Sequence, residues 1–204
     1  MHNKCNLKYI GIVIYSIIIL FSVSLTHSLA GVSVELVNKA LGPDDAPLLF
    51  NTGNVKIIYP DGKSKILPYK THYDPPALVI GGKVYIITTN TDGYISGIII
   101  YNTITDKSRK YPLPPDINNL KKRFFCSPSF SPDGNKLAYY IVFDDGKGKV
   151  IVRSFPDGKL LKESKTHELT GRGVTPSIPN WKTSQSVEFE EEFFDPPIKT
   201  HFVF

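Results

Sequence analysis

The sequence has little cysteine, and its two cysteines, Cys5 and Cys126, stand far apart. Cys5 lies in a segment that we expect to be removed, which leaves Cys126 alone in the mature chain. This excludes an intramolecular disulfide, so a fold outside the cytoplasm must rely on its apolar core. We expect Cys126 to be a small buried residue, with a reactive thiol as the alternative.

Sequence patterns that indicate catalysis or metal binding are also missing. No Gly-x-Ser-x-Gly sequence occurs, which excludes the nucleophile elbow of α/β-hydrolases. His72, His167 and His201 lack the spacing of metal ligands. The run Asn90-Thr91-Asp92-Gly93 lacks the acidic ligands of a calcium loop and is typical of a β-turn. We therefore predict no catalytic residue, no metal site and no cofactor.

Long apolar runs are absent except near the start, where the sequence is typical of a secretory signal. Lys4 and Lys8 carry positive charge, and residues 10–25 are apolar. Small residues at positions 28 and 30 fit the site that a signal peptidase reads, so we expect cleavage before Gly31. The alternative is an uncleaved membrane anchor, although this run is shorter than the roughly 20 residues that span a bilayer.

This division gives a signal peptide over 1–30 and a repeat domain over 31–204. We expect a periplasmic or secreted protein, with membrane anchoring by residues 10–25 as the alternative. Membrane contact is expected only through this segment, if it is uncleaved. The remaining 174 residues are enough for one domain with a sizeable core.

The charge balance is only weakly basic. The formal charge of +5 falls to +3 when Lys4 and Lys8 are removed, and we expect that excess to be spread out. The triplet Lys121-Lys122-Arg123 beside two phenylalanines suggests a nucleic-acid patch, but one short triplet is more typical of a solvated loop. Export also argues against nucleic acid, so we predict no such partner. The acidic run at 190–192 is interpreted as a solvated strand and turn.

Three similar segments occur at nearly constant spacing. Pro128-Ser129-Phe130 precedes Pro179-Asn180-Trp181 by 51 residues, and Pro76-Ala77-Leu78 precedes the first of these by 52. Each is followed by a turn and an apolar strand. After residue 30 strand-forming residues dominate, and no helical periodicity of useful length occurs. A period near 50 with this content predicts the blades of a β-propeller.

The strongest repeat reads as strand, turn and strand. Ser131-Pro132 leads into Asp133-Gly134, a pairing that favours a tight turn, and we predict either a positive φ or steric crowding at Gly134. Residues 136–143 and 149–153 then read as strands, and 159–162 as an edge strand. The residues that we assign to the repeat motif are Pro128, Phe130, Ser131, Pro132, Asp133, Gly134, Pro179 and Trp181.

The predicted fold is all-β, with about 3 to 3.5 antiparallel four-stranded blades in an open or truncated propeller after the signal helix. An earlier hairpin at 54–69 reads as the outer half of a first blade. Closed propellers usually need four to eight blades. We therefore expect the first and last blades to expose unpaired edges and apolar faces, and the domain to self-associate or to be marginally stable.

The segment Ser127–Tyr139 resembles the WD40-like repeats of TolB-type propellers, whose signature is a Pro, an aromatic residue and Ser-Pro-Asp-Gly before an apolar strand. The resemblance covers residues 48–192, with one strong and two degenerate copies. It implies a periplasmic setting near the outer membrane. TolB-type proteins carry an additional N-terminal α/β domain, for which residues 31–47 are too short.

The preferred function is a non-enzymatic propeller module for protein interaction or scaffolding in the cell envelope. The alternative is a remnant or accessory propeller of a peptidase, lyase or glycan-active enzyme, because fold alone does not define function. A central channel lined by small and apolar residues would favour binding, and a cluster of His, Asp or Arg at its mouth would favour catalysis. Trp181 and the other aromatic residues are interpreted as filling between blades, with sugar stacking as the alternative.

Overall fold

The computed structural model describes residues 31–41, 51–73, 77–90, 94–118, 128–143, 147–168, 178–191 and 198–204. Within these ranges the chain is almost entirely β-strand. The strands are β1 (Ser33–Leu41), β2 (Asn51–Ile58), β3 (Ser64–Thr71), β4 (Leu78–Ile80), β5 (Lys83–Thr89), β6 (Ile95–Asn102), β7 (Lys107–Tyr111), β8 (Ser129–Phe130), β9 (Lys136–Val142), β10 (Lys147–Ser154), β11 (Leu160–Glu163), β12 (His167–Glu168), β13 (Asn180–Thr183), β14 (Ser186–Glu191) and β15 (Ile198–Val203). A short helix, α1 (Pro115–Asn118), follows β7. Over the described ranges, no helix has the length and apolar character that a membrane span requires.

In these ranges the strands form four antiparallel sheets that follow one another along the chain. Sheet 1 has the order β1-β2-β3 and sheet 2 the order β4-β5-β6-β7. Sheet 3 has the order β8-β9-β10-β11, with β12 also paired to β10, and sheet 4 the order β13-β14-β15. Sheets 2 and 3 are four-stranded meanders of the propeller-blade type. The predicted fold class, all-β with blade-like antiparallel repeats, is confirmed.

The repeat alignment corresponds to real structural positions. The three aligned segments supply the first strands of sheets 2, 3 and 4, namely β4, β8 and β13. Each first strand pairs antiparallel with the strand after its turn. The signal segment, the basic triplet at 121–123, Cys126 and residue 192 of the acidic run lie outside the described residues.

Strand β1 was not predicted. The hairpin of β2 and β3 was expected as the outer half of a first blade, but β1 pairs along the whole length of β2 and extends that sheet. The register of this pair shifts between Val37 and Ala40, and Asn38 there adopts a positive φ of 54°. The shift interrupts the alternation of apolar and polar residues that marks a strand, which explains why the pattern is weak.

Three apolar layers hold the sheets face to face. Val55, Ile57 and Leu67 of sheet 1 pack on Val84 and Ile86 of sheet 2. The second layer lies between sheets 2 and 3, and the third between sheets 3 and 4. Each fully buried aliphatic side chain in these layers contributes about 1.5–3 kcal/mol relative to an exposed one.

The inner sheets are apolar on both faces. In β9, Leu137 and Tyr139 belong to the second layer, whereas Ala138 and Tyr140 belong to the third. Tyr139 and Tyr140 are both fully buried. Such continuous apolar strands are typical of a sheet that is covered on both sides.

The end sheets carry charged pairs on their outer faces. In sheet 1, Lys56 forms an ion pair with Glu35 at 2.7 Å on the face opposite the first layer. In sheet 4, Glu188 lies within 4 Å of both Lys182 and Lys199, at 3.4 and 3.6 Å. These charged pairs occupy part of each outer face, which also exposes Ile66 in sheet 1 and Val203 in sheet 4. The described sheets thus form a row, joined by three apolar layers, whose two end faces carry both charged pairs and exposed aliphatic side chains.

Candidate binding cleft

The repeat-motif residues join neighbouring sheets. Ser131 is fully buried and accepts the backbone N–H of Lys136 at 2.9 Å, while its own hydroxyl donates to Asp133 at 2.6 Å. Burial alone would raise the pKa of Asp133, but the hydrogen bond from Ser131 and the N–H of Asn135 hold that pKa below its usual value. The turn of Pro132, Asp133 and Gly134 is thus fixed by its own hydrogen bonds.

The other motif residues lie in or directly before β8 and β13, the first strands of sheets 3 and 4. Phe130 is buried in the second layer, with its ring centroid 5.3 Å from that of Tyr85. Pro128 and Pro179 are buried, and the carbonyl of Pro179 accepts the hydroxyl of Ser129 at 2.8 Å. Trp181 donates from Nε1 to the Ser129 carbonyl at 3.4 Å. These contacts connect sheet 3 to sheets 2 and 4.

A cleft of about 280 Å³ opens between sheets 2 and 3, where the chain leaves β7 and where β10 turns into β11. Its walls are mostly apolar. They include a proline-rich stretch, an aromatic ring and two buried aliphatic side chains. The lining is formed by Ile98, Pro112, Leu113, Pro114, Pro115, Leu137, Arg153, Ser154, Phe155, Pro156, Asp157 and Gly158. A largely apolar cleft with a few fixed polar groups is the usual form of a ligand site.

Arg153, one of the polar residues that line the cleft, belongs to a hydrogen-bonded network. Arg153 Nε donates to Asp116 Oδ2 at 2.7 Å, and the Tyr139 hydroxyl donates to the same oxygen at 2.7 Å. Arg153 Nη1 donates to the carbonyl of Gly158 at 2.8 Å. The network ties α1 to β9 and β10, so it fixes the proline-rich wall against sheet 3.

This network keeps each member in one protonation state at neutral pH. Burial acts to raise the pKa of Asp116, but hydrogen bonds from Arg153 and Tyr139 outweigh it and hold that pKa below its usual value. Burial, together with the hydrogen bond to Asp116, raises the pKa of Tyr139. A general acid or base works best with a pKa near the operating pH. The network therefore suits the fixing of a binding wall better than proton transfer.

No sequence pattern predicted that these groups would be in contact. Arg153 lies in a strand that the sequence predicts, whereas no pattern singled out Asp116 in α1. They are 37 positions apart, and no motif links them. The usable signal was the run of prolines at 112, 114 and 115 directly before an acidic residue, which stiffens a connection between blades.

The histidines are dispersed, as their spacing predicted. His72 is largely buried, and burial lowers its pKa to about 4. His201 Nε2 lies 2.6 Å from Ser186 Oγ on the outer face of sheet 4, a serine–histidine pair that sequence analysis did not identify. The adjacent Glu188 is engaged by two lysines, and the pair stands on an exposed face and not in the cleft. Over the described ranges, no three His, Cys, Asp or Glu side chains are arranged to hold a metal ion.

The turn that resembled a calcium loop is only partly described. Asn90 Oδ1 accepts the backbone N–H of Tyr94 at 2.8 Å, and the N–H of Asn90 donates to the Tyr94 carbonyl at 2.9 Å. Residues 91–93 between them lie outside the described residues. The two hydrogen bonds close the connection between β5 and β6, and the predicted β-turn itself stays a prediction.

Comparisons with known proteins add resemblance at the level of structure. No protein-family model matches the sequence, and a search of curated proteins finds no match. Among solved structures, the chain is similar to the β-propeller domain of the Trilobed protease from Pyrococcus furiosus, which is described as having an open velcro topology. The similarity has 11% sequence identity and a TM-score of 0.44, and covers 86% of this chain. The chain spans about half the length of that structure, 51%. The fold assignment rests on the strand order and packing of this chain itself.

Proposed function

We propose that this chain is an exported, non-enzymatic β-propeller module, similar to the TolB type, that binds a protein partner in the cell envelope. The observation that carries the proposal is the cleft between sheets 2 and 3. Its walls are apolar and proline-rich, and the guanidinium of Arg153 is already held by Asp116. Such a surface suits an apolar segment of a partner protein, because the ligand meets a fixed wall without having to break an ion pair.

The edge formed by the first strands, which is the channel side of a propeller, supports the same function. That edge carries Leu78, Val79 and Ile80 in β4 and Ser129 and Phe130 in β8. In these two strands the residues are apolar or small, the pattern expected for a binding module, whereas β13 of sheet 4 carries Lys182. A catalytic edge would instead bring together groups such as His, Asp or Arg.

A displayed library of random peptides tests the cleft. Peptides selected on the wild-type chain are measured against Pro112→Arg, which places a charge at an exposed position of the cleft. We expect at least a tenfold loss of affinity, since one unfavourable buried contact of about 1.4 kcal/mol has that effect. The matched control is Val203→Arg, an exposed apolar position on the outer face of sheet 4, where we expect unchanged binding.

Two results would contradict this function. One is a failure to select any peptide, and the other is equal loss of binding in both variants. Mass spectrometry of the selected peptides after long incubation tests the enzyme alternative, because cleavage products that disappear in a variant of the cleft would indicate a peptidase.

Export is tested separately. When the chain is expressed in a bacterium, we expect a periplasmic product whose N-terminus is Gly31. Sequencing that returns Met1 from the membrane fraction would replace the signal peptide with an anchor formed by residues 10–25.

A further inference from the structure

The positive charge of this chain is concentrated along one side of the sheets. Three segments, 60–71, 103–111 and 156–165, each consist of a turn and the outermost strand of its sheet, β3, β7 or β11. Together they hold nine lysines and arginines and four acidic residues. Their net charge of +5 equals that of the whole chain, so positive and negative side chains are equal in number among all other residues. The expectation of a spread-out excess is therefore wrong. We call these three segments the basic rim.

The three segments of the basic rim are neighbours in space. Lys65 of β3 forms an ion pair with Asp106 in the turn before β7, and Tyr69 donates to Ser108 at 2.6 Å. The ring of Tyr111 at the end of β7 lies 5.1 Å from that of Phe155 in sheet 3. Because packed sheets are about 10 Å apart, the rim extends for roughly 20 Å across three sheets.

Most cations of the basic rim face solvent. Lys63 and Lys65 have acidic partners within the rim. Six others are exposed and form no ion pair with the described part of the chain: Lys70, Lys107, Arg109, Lys110, Lys159 and Lys162. These side chains are available to anionic groups of another molecule.

Each segment of the basic rim also exposes one large aliphatic side chain. The exposed fractions are 51% for Ile66, 82% for Ile104 and 41% for Leu160. Lysines on edge strands protect sheets against aggregation, which accounts for the charges alone. That protective role does not explain why an aliphatic side chain is exposed in each of the three charged segments.

We propose that the basic rim binds the surface of an anionic phospholipid bilayer. Lysine and arginine side chains would contact lipid phosphates, while Ile66, Ile104 and Leu160 would enter the headgroup region. Protein–protein interfaces are instead depleted in lysine and enriched in Tyr, Trp and Met, so the composition favours a lipid surface over an acidic protein. This contact is additional to any made by residues 1–30.

Vesicle co-sedimentation of the full chain tests the proposal. Vesicles of phosphatidylcholine are compared with vesicles that also contain phosphatidylglycerol. Lys4 and Lys8 of the N-terminal segment also favour anionic lipid, so the variants described below separate that contribution from the rim. We expect stronger binding to the anionic vesicles and a decrease as salt is added, because exposed charges are screened.

A triple variant identifies the surface. Lys70→Gln, Lys107→Gln and Lys162→Gln remove one exposed charge from each segment, and we expect anionic binding to weaken at least tenfold. The matched control also removes three positive charges, but outside the rim: Lys39→Gln, Lys83→Gln and Lys182→Gln. We expect the control to change binding by less than about threefold. Circular dichroism melts establish that both variants are folded.

A single substitution tests how much the exposed aliphatic side chains contribute to vesicle binding. Ile104→Ser should weaken binding to anionic vesicles several-fold at equal charge. Equal binding to both vesicle types, or equal losses in the two triple variants, would overturn the proposal. It would also be overturned if Ile104→Ser bound normally while a soluble polyanion displaced the chain from vesicles, because the rim would then recognise anionic polymers or acidic proteins.

Discussion

The α-carbon of Gly134 faces the ring of Tyr85 so closely that a β-carbon at position 134 would lie 2.8 Å from Tyr85 Cζ. The φ of Gly134 is +70°, which confirms the predicted positive φ. This glycine is therefore constrained twice, by the turn within sheet 3 and by a side chain from sheet 2. The motif turn is a contact between blades as well as a hairpin.

Replacing Gly134 with alanine should destabilise the fold by about 2–3 kcal/mol, since both the backbone strain and the contact with Tyr85 oppose a side chain. Gly158 is the matched control, because its φ is +72° and a β-carbon there would have no atom within 4 Å. Gly158→Ala should cost only about 1 kcal/mol. Urea unfolding of both variants measures the difference in the free energy of unfolding. Equal losses would show that the Tyr85 ring moves aside without a measurable energetic cost.

Asp116→Asn should lower the free energy of unfolding by about 2 kcal/mol at pH 7, because Arg153 loses its charged hydrogen-bond acceptor. The folded-state pKa of Asp116 is lowered, so its stabilisation is complete above the unfolded pKa, near 3.8, and is lost as the pH falls below it. The difference between wild type and variant should therefore shrink in acid. Asp157→Asn, at an exposed position in the same cleft, should change stability by less than about 0.5 kcal/mol. A pH-independent difference would contradict this assignment.

The burial of His72 predicts that the fold also loses stability as the pH is lowered from 6.5 toward 4, a range above the one in which Asp116 titrates. Its pKa is lowered by burial to about 4 in the folded chain, from an ordinary value of 6.5. The unfolded chain thus binds the proton first, and stability should fall from pH 6.5 toward pH 4 by up to about 1.4 kcal/mol per unit. Unfolding at several pH values should show this slope in the wild type and in His201→Gln but not in His72→Gln. A slope that survives in His72→Gln must come from other groups.

The polar outer face of sheet 4 should keep that face from associating. Glu188→Leu with Lys199→Leu creates an apolar patch beside the exposed Val203, and we expect larger species in sedimentation velocity than for the wild type. Asp61→Leu with Lys63→Leu, which removes an ion pair at an exposed turn, is the control. Equal association in both double variants would point to added hydrophobicity in general, and not to the outer face.

The order of the blades was predictable because its signals are local. The aligned segments at Pro76, Pro128 and Pro179 mark a strand, a turn and a strand within about 15 residues, the range in which turn chemistry and alternation act. The positive φ of Gly134 followed from the same pattern. The strand β1 was missed because Asn38 and the shifted register interrupt its alternation.

The polar end faces and the cleft depend on contacts between distant residues. The alternation of Val187 and Phe189 with Glu188 and Glu190 signals a sheet with one covered face, whereas the unbroken apolar run of β9 signals two. That comparison was available in the sequence, but the position of each sheet in the row was not. The pairing of Asp116 with Arg153 has no local signature, because it depends on how α1 docks on sheet 3.

The three apolar layers also set where the molecule opens. Sheets 2 and 3 each share two layers, whereas sheets 1 and 4 each share one. A strand such as β9 is released only when both of its layers separate, but the end sheets need to break only a single layer. Thermal opening should therefore begin at the two ends of the row and reach the Asp116 network last, so that the cleft persists in partly unravelled molecules.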